Sequence, residues 1–172
     1  EIEIQDKIKS QAQALADFGF SVSGWSRTAK LIDGVNCMHS SPGLDAVLSD
    51  NELLFVFLPL TGDTEGLLDS EALARLPDGA ALANLSRGEL IDDDALLDAL
   101  DSGRLSEVHL DVFQREPLPP DHRYWSHPRV RMTPHIAALT PYSAACEQMA
   151  EKIRKLEAGE AVSGLVDRVR GY

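Results

Sequence analysis

The sequence predicts an α/β fold built on a doubly wound, mainly parallel sheet. The period of the apolar residues changes repeatedly along the 172-residue chain, as it does where strands alternate with helices. The connections between these segments are short, so parallel strands require right-handed crossovers. Ligands of such sheets bind at the carboxyl ends of the strands. Functional residues are therefore expected directly after the strands.

Five short apolar segments are predicted strands because Gly, Pro, Asp or Ser bounds each of them. They are residues 20–25, 53–58, 80–85, 108–113 and 130–132. Three segments carry apolar residues at helical spacing after a residue that favours a helix start. These predicted helices are residues 64–76, 92–102 and 141–158.

Three consecutive acids, Asp92 to Asp94, open the second predicted helix. A helix N-terminus attracts acids through its dipole, which we favour over a metal or phospho-acceptor pocket. The two cysteines, Cys37 and Cys146, lack the spacing of a zinc site or a disulfide framework. We predict no metal.

The charge balance restricts the classes of partner. The chain has 16 Lys and Arg against 28 Asp and Glu, a formal charge of -12. This charge disfavours binding to nucleic acid or to anionic membrane surfaces. No apolar run approaches the roughly 20 residues that span a bilayer, and the first residues do not resemble a signal peptide. The expectation is a soluble cytoplasmic protein that binds small molecules or protein.

A basic turn of Ser26, Arg27 and Thr28 follows the first predicted strand. An adenosine-binding α/β fold normally carries an acid there for the ribose diol. Arginine with neighbouring hydroxyls suits a 2′-phosphate instead, because the guanidinium forms two charge-assisted hydrogen bonds with it. A solvated surface turn explains the same residues, and the sequence leaves both interpretations open.

Three further charged or titratable residues follow later strands. Arg87 comes directly after a buried strand, where a guanidinium is costly unless it meets an anion. That anion is either a substrate carboxylate or a local acid, Glu89 or Asp92. Glu116 and His135 follow two successive strands, so their side chains are expected to meet.

Together these three residue types suit the reduction of a 2-keto acid. A carboxylate bonded to one imidazole nitrogen fixes the tautomer and favours the imidazolium, which leaves the other nitrogen to deliver a proton. An arginine holds the substrate carboxylate, and a dihydronicotinamide supplies hydride. A lone histidine is more often structural than catalytic, but the ordered set is more specific.

Several motifs agree in order and spacing with one known family. The segments NLSRG (84–88), LDVFQREPL (110–118) and TPHIAA (133–138) resemble the nucleotide-binding domain of D-isomer-specific 2-hydroxyacid dehydrogenases. The WSR turn (25–27) and the tail VDRVRGY (166–172) are similar to those of the NADPH-preferring glyoxylate/hydroxypyruvate reductases in that family. The resemblance covers nearly the whole chain.

The resemblance implies a Rossmann-type domain of a homodimeric oxidoreductase that reduces glyoxylate or hydroxypyruvate with NADPH in preference to NADH. It assigns catalysis to Arg87, Glu116 and His135. It also implies a set of cofactor-binding residues: Ser26, Arg27 and Thr28 at the adenosine phosphate, Pro59 and Leu60 along the cofactor cleft, and Asp111 near the nicotinamide.

The first ten residues depart from the family pattern. A glycine fingerprint is expected near Glu3, Gln5 and Ile8, yet no glycine occurs there, although a phosphate-cradling turn needs glycine. We therefore divide the chain into an atypical segment of doubtful origin (1–10), an NAD(P)-binding domain (11–158) and a tail (159–172).

The family's substrate domain is expected to be absent from this chain. A family member needs roughly a hundred further residues for that domain, so the isolated chain is expected not to turn over. The alternative function is a non-catalytic, nucleotide-gated dimerisation module, which the missing fingerprint favours and the complete Arg, Glu and His set disfavours.

Overall fold

The computed structural model describes residues 2–137 and 142–165. The strands of these residues are β1 (Val22–Trp25), β2 (Val35–Met38), β3 (Leu53–Val56), β4 (Ala80–Asn84), β5 (Leu105–Leu110) and β6 (Val130–Met132). The helices are α1 (Ile2–Asp17), α2 (Ser40–Asp50), α3 (Ser70–Ala74), α4 (Asp93–Asp101) and α5 (Tyr142–Glu157). Glu1, Ala138, the predicted helix start at Pro141 and the tail 166–172 lie outside the described residues.

All of these strands pair in parallel. β1 pairs with β2, and a second sheet has the order β3-β4-β5-β6. Helix α3 connects β3 to β4 and helix α4 connects β4 to β5, as parallel neighbours require. The predicted α/β class with a mainly parallel sheet is confirmed. Because the strands of the four-stranded sheet are parallel, the loops that follow them lie together at the carboxyl ends of the strands, and we call this side of the sheet its carboxyl edge.

The core lies between the four-stranded sheet and the helices that cross over it. Leu96 and Leu100 of α4, Leu105 and Val108 of β5 have no exposed surface. Their spacing in α4 places both leucines on one face, since residues four apart in a helix are neighbours. Burial of this face fixes α4 on the sheet and thereby fixes the ends of β4 and β5 that carry the polar loops.

Most predicted elements match the structure to within two residues at each end, but two differ by three residues or more. The predicted strand at 108–113 runs instead over Leu105–Leu110, so Asp111 begins the loop rather than lying inside the strand. The predicted helix at 64–76 is helical only over Ser70–Ala74. Gly66 at φ +63 interrupts the preceding turns, and the Asp69 carboxylate then caps a new helix by accepting the N–H of Ala72.

Three elements were missed by the sequence analysis. Strand β2 has four residues and pairs with one neighbour, so its apolar signal is short. Helix α2 begins Ser-Ser-Pro-Gly, a composition typical of turns, although proline is tolerated in a first helical turn. Helix α1 runs through the segment that we set apart as atypical.

Two histidines outside the predicted site fasten one loop to helix α4. His122 and His127 flank a short 3-10 turn (Arg123–Ser126), and each Nδ1 accepts the backbone N–H two residues further on, at 3.3 and 3.2 Å. Their Nε2 atoms lie 3.5 Å from Asp93 and 3.2 Å from Asp101. The imidazoles therefore join the turn to both ends of α4, which is a structural role.

Among the described residues, no helix is both long enough and apolar enough to cross a membrane. No group of three His, Cys, Asp or Glu side chains in that part of the chain is arranged to hold a metal ion.

Substitution of Leu96 tests the assignment of the core. Leu96→Ala is expected to lower the free energy of unfolding by about 2 to 5 kcal/mol, because it removes buried methyl groups and leaves a cavity. Leu31, which is 94% exposed, provides the matched control Leu31→Ala. Urea denaturation followed by circular dichroism measures both, and equal losses would contradict this description of the core.

Candidate active site

The loops after β5 and β6 bring Glu116 and His135 into direct contact. His135 Nδ1 lies 2.8 Å from Glu116 Oε2, and Glu116 Oε1 accepts the backbone N–H of Phe113 at 3.0 Å. Both carboxylate oxygens are therefore engaged. The side chains remain 49% and 37% exposed, so the pair is accessible to a small molecule. The predicted meeting of these two residues is confirmed as a contact.

The environment of Glu116 favours its ionised form. Partial burial acts to raise the pKa of this carboxyl, but the hydrogen bonds from His135 and from the Phe113 N–H outweigh it. The positive charges of His135 and Arg87 act in the same direction, and the pKa lies below its usual value. Glu116 is thus a carboxylate over the whole neutral range, able to hold the imidazole by charge and by hydrogen bond.

Asp111 determines the path of the loop that carries His135. Its side chain is almost fully buried, at 1% exposure, and its carboxylate accepts the Thr133 hydroxyl and the backbone N–H groups of Ile136 and Ala137. The backbone carbonyl of Asp111 accepts the N–H of His135 at 2.8 Å. Donors on both sides of His135 therefore converge on one residue.

These contacts stabilise an unusual backbone conformation. His135 has φ +53, in the left-handed region that costs free energy for a residue with a side chain. The hydrogen bonds to Asp111 hold it there and direct the imidazole at Glu116. Burial acts to raise the pKa of the Asp111 carboxyl, but the Thr133 hydroxyl, the two backbone N–H groups and the charge of His135 together lower it. The position of Asp111 beside a nicotinamide stays a prediction.

Arg87 follows β4 on a turn shaped by a buried asparagine. The Asn84 side chain is 1% exposed; it donates to the Arg87 carbonyl at 2.8 Å and accepts the N–H of Ser86 at 3.1 Å. Asn84 was missed by the sequence analysis, and its signal is a polar residue that ends an otherwise apolar strand. The arrangement turns the Arg87 side chain out of the core.

The guanidinium of Arg87 is exposed and close enough to Glu116 to help lower the pKa of its carboxyl. It donates to the Ser86 carbonyl at 2.7 Å. Within the described part of the chain, Arg87 forms no ion pair with Glu89 or Asp92, the two local acids considered above. Its guanidinium has further N–H groups beyond the one that the Ser86 carbonyl accepts.

The other predicted site residues lie after β1 and β3. In the turn after β1, the Ser26 hydroxyl donates to the Thr28 carbonyl at 2.8 Å, and Arg27 is exposed between them. After β3, the Pro59 carbonyl accepts the Thr64 hydroxyl at 2.6 Å, and Leu60 packs against the core. The structure thus groups Arg87, Glu116 and His135 on the four-stranded sheet, while the basic turn belongs to the β1-β2 pair.

Comparison with known proteins defines the class to which this fold and site belong. The family model of the D-isomer specific 2-hydroxyacid dehydrogenase, NAD binding domain, matches residues 9–137. The chain therefore belongs to that family, and the predicted resemblance is confirmed. The matched residues contain Arg87, Glu116 and His135.

Individual relatives share both sequence and fold with the chain. Glyoxylate/hydroxypyruvate reductase A of Serratia proteamaculans is 48% identical over 164 residues, which is 95% of this chain and 52% of that protein. A D-isomer specific 2-hydroxyacid dehydrogenase from Xanthobacter autotrophicus, solved with NADPH and MES, is 46% identical with a TM-score of 0.91. The match covers 94% of this chain and 66% of that one.

A third relative is likewise similar to this chain in sequence and in fold. The NADPH-dependent glyoxylate/hydroxypyruvate reductase of Sinorhizobium meliloti, solved with NADP and sulfate, is 38% identical with a TM-score of 0.90. The match covers 95% of this chain and 53% of that one. The Rossmann-type fold class is confirmed, and the chain spans about half the length of the curated relative that it matches.

Replacement of Glu116 tests the charge in the pair. Glu116→Gln keeps a hydrogen-bond acceptor but removes the negative charge that favours a protonated imidazole. The hydrogen bond from His135 Nδ1 is therefore expected to weaken, since hydrogen bonds to a charged acceptor are shorter and stronger. The Nδ1–H proton resonance, recorded by NMR at one fixed pH, is expected to move upfield, and the exposed Glu107→Gln is the control. An unchanged Nδ1–H resonance would remove Glu116 from its assigned role.

Acid unfolding tests Asp111. Because the folded-state pKa of this carboxyl is lowered, its ionised form contributes stability above its unfolded pKa, and this contribution is lost as pH falls through the folded value. Asp111→Asn is expected to cost about 1 to 3 kcal/mol at pH 7, and the difference from wild type is expected to narrow below about pH 4. Urea denaturation across pH measures it, with the exposed Asp33→Asn as control. A difference that is constant with pH would contradict the assignment.

Proposed function

We propose that this chain is the cofactor-binding half of an NADPH-dependent reductase of small 2-keto acids, with glyoxylate or hydroxypyruvate as substrate. The contact between His135 and Glu116, at 2.8 Å and with Arg87 close by, carries the proposal. His135 supplies a proton donor and Arg87 supplies an anion-binding group. Both lie in loops at the carboxyl ends of the strands of one sheet. The names of the relatives, which are reductases of these two acids, support the same substrates.

Arg87 is proposed to bind the substrate carboxylate. Its exposed guanidinium has several N–H groups beyond the one used by the Ser86 carbonyl, and a guanidinium binds a carboxylate through two parallel hydrogen bonds. This fixes the orientation of the substrate and places its keto oxygen towards the neighbouring loop. Positioning of this kind lowers the entropic part of the barrier.

His135 is proposed to deliver the proton. Glu116 occupies the Nδ1 side of the imidazole, which leaves Nε2–H as the donor to the keto oxygen. When the proton leaves Nε2, the ring becomes neutral and keeps Nδ1–H on Glu116, so its orientation does not change. The dihydronicotinamide of a bound cofactor would supply the hydride.

The residues after β1 fit the phosphate of NADP. Ser26, Arg27 and Thr28 offer hydroxyl and guanidinium donors and no carboxylate, which suits a 2′-phosphate better than a ribose diol. The glycines expected near the start of the chain for the pyrophosphate are replaced by Glu3, Gln5 and Ile8. No pyrophosphate contact is therefore assigned to these residues. Homodimer formation, which rests on the family resemblance, and a cytoplasmic location, which is expected from the sequence, are further parts of the proposal.

The missing glycines favour a second candidate, a non-catalytic module that associates in response to nucleotide. The catalytic proposal is preferred because the Arg, Glu and His arrangement is complete, and an association module does not need it.

The cofactor preference is tested with Arg27. Arg27→Asp is expected to weaken binding of NADPH by about 10- to 100-fold, since charged hydrogen bonds to the 2′-phosphate are lost. NADH, which lacks that phosphate, is expected to change by less than about 2-fold. NMR titration of the chain with each cofactor measures even weak affinities, and Arg154→Asp on α5 controls for net charge. Equal losses for both cofactors would overturn the assigned preference, and binding of neither by the unsubstituted chain would overturn the cofactor proposal.

A further inference from the structure

The turn that carries Arg87 and the loop that carries Glu116 touch backbone to backbone at Gly88. A Cβ atom placed on Gly88 would lie 2.0 Å from the carbonyl carbon of Phe113, 2.2 Å from the nitrogen of Gln114 and 2.4 Å from the oxygen of Phe113. These distances are far inside van der Waals contact, and the overlapping atoms are main-chain atoms that have no rotamer with which to avoid it. Any side chain at this position would separate the two segments.

The requirement for glycine comes from this approach and not from the backbone conformation. Gly66 and Gly79 have positive φ values, whereas Gly88 lies outside the left-handed region. Its conformation is one that other residues adopt readily. Gly88 is also buried, so the contact is closed to solvent. Only glycine, which has no Cβ atom, therefore allows the two loops to approach this closely.

The contact is linked to the candidate active site on both sides. Along the chain, Gly88 directly follows Arg87. Across the contact, the Phe113 N–H donates to Glu116 Oε1 at 3.0 Å. The Gln114 side chain adds a second tie by donating to the carbonyl of Ile91 at 2.8 Å. Displacement of residues 113 and 114 would thus move the donor that orients the Glu116 carboxylate.

We propose that Gly88 is a positioning residue, whose missing side chain sets the distance between Arg87 and the Glu116–His135 pair. It touches no substrate and acts through the Phe113 N–H. The proposal deepens the proposed function, since the distance that it sets is the one between the carboxylate-binding group and the proton donor. The contact itself, however, is measurable without cofactor or turnover.

The test is Gly88→Ala in the whole chain, read out by the Nδ1–H proton resonance of His135 at one fixed pH. Gly62→Ala is the matched control, because Gly62 has an ordinary φ and a Cβ atom placed on it would meet no atom within 4 Å. Gly88→Ala is expected to move the Nδ1–H resonance of His135 upfield, as Glu116→Gln does, because a displaced Phe113 N–H no longer orients the Glu116 carboxylate. Gly62→Ala is expected to leave this resonance unchanged.

A double substitution separates positioning from a general loss of structure. In the Glu116→Gln background the hydrogen bond to the charged carboxylate has already been lost, so adding Gly88→Ala is expected to cause no further shift of the Nδ1–H resonance. A lowered melting temperature with an unchanged Nδ1–H resonance in Gly88→Ala would overturn the proposal, as would an equal shift in both backgrounds.

A second variant covers the case in which Gly88→Ala does not fold. Gln114→Ala removes the hydrogen bond to Ile91 without creating an overlap, so it is expected to move the Nδ1–H resonance of His135 partway towards its position in Glu116→Gln. An unchanged Nδ1–H resonance in this variant would overturn the proposal. Neither readout requires NADPH or a keto acid. Failure of the proposed enzymatic function therefore leaves a different signature, in which the resonance shifts as expected but the complete enzyme shows no turnover.

Discussion

The arrangement of the candidate site depends on the buried carboxylate of Asp111. It accepts hydrogen bonds from three donors of the loop after β6 and so holds His135 at a positive φ that the chain would otherwise avoid. From His135 the order extends to Glu116 through the 2.8 Å contact. A buried charge is costly unless hydrogen-bond donors compensate for its lost hydration. The donors that converge on Asp111 provide this compensation.

The parallel sheet makes this convergence possible. Strands β4, β5 and β6 are neighbours that run in the same direction, so residues that are far apart in sequence meet where the strands end. Arg87, Glu116 and His135 each lie on a different loop of that edge. The Arg87 guanidinium lies near Glu116 in this group and adds a positive charge there, in a molecule of net charge -12. It is the group to which the proposed function assigns the carboxylate of the substrate.

The sequence predicted the charged residues of the candidate site, but not the uncharged residues that position the loops between them. The order of Arg87, Glu116 and His135 after successive apolar segments was enough to place them together, since strand direction determines which ends meet. Asn84 and Gly88 were not found as site residues, because their roles depend on a buried hydrogen bond and on an interloop distance, and neither has a periodic signal. Helix α2 was missed because its first residues are typical of a turn, and tertiary packing stabilises a helix there despite their low helix propensity.

In this arrangement an ionised Glu116 accepts a hydrogen bond from a proton-bearing Nδ1 of His135, so that Nε2 is the nitrogen available to the proposed substrate. Long-range proton–nitrogen correlation NMR of the imidazole, recorded on the intact chain above the pH at which the ring becomes neutral, measures the tautomer directly. Neutral His135 is expected to carry its proton on Nδ1. Neutral His135 with its proton on Nε2 and an unprotonated Nδ1 would contradict it, because that nitrogen would then face the Glu116 carboxylate with no proton to share.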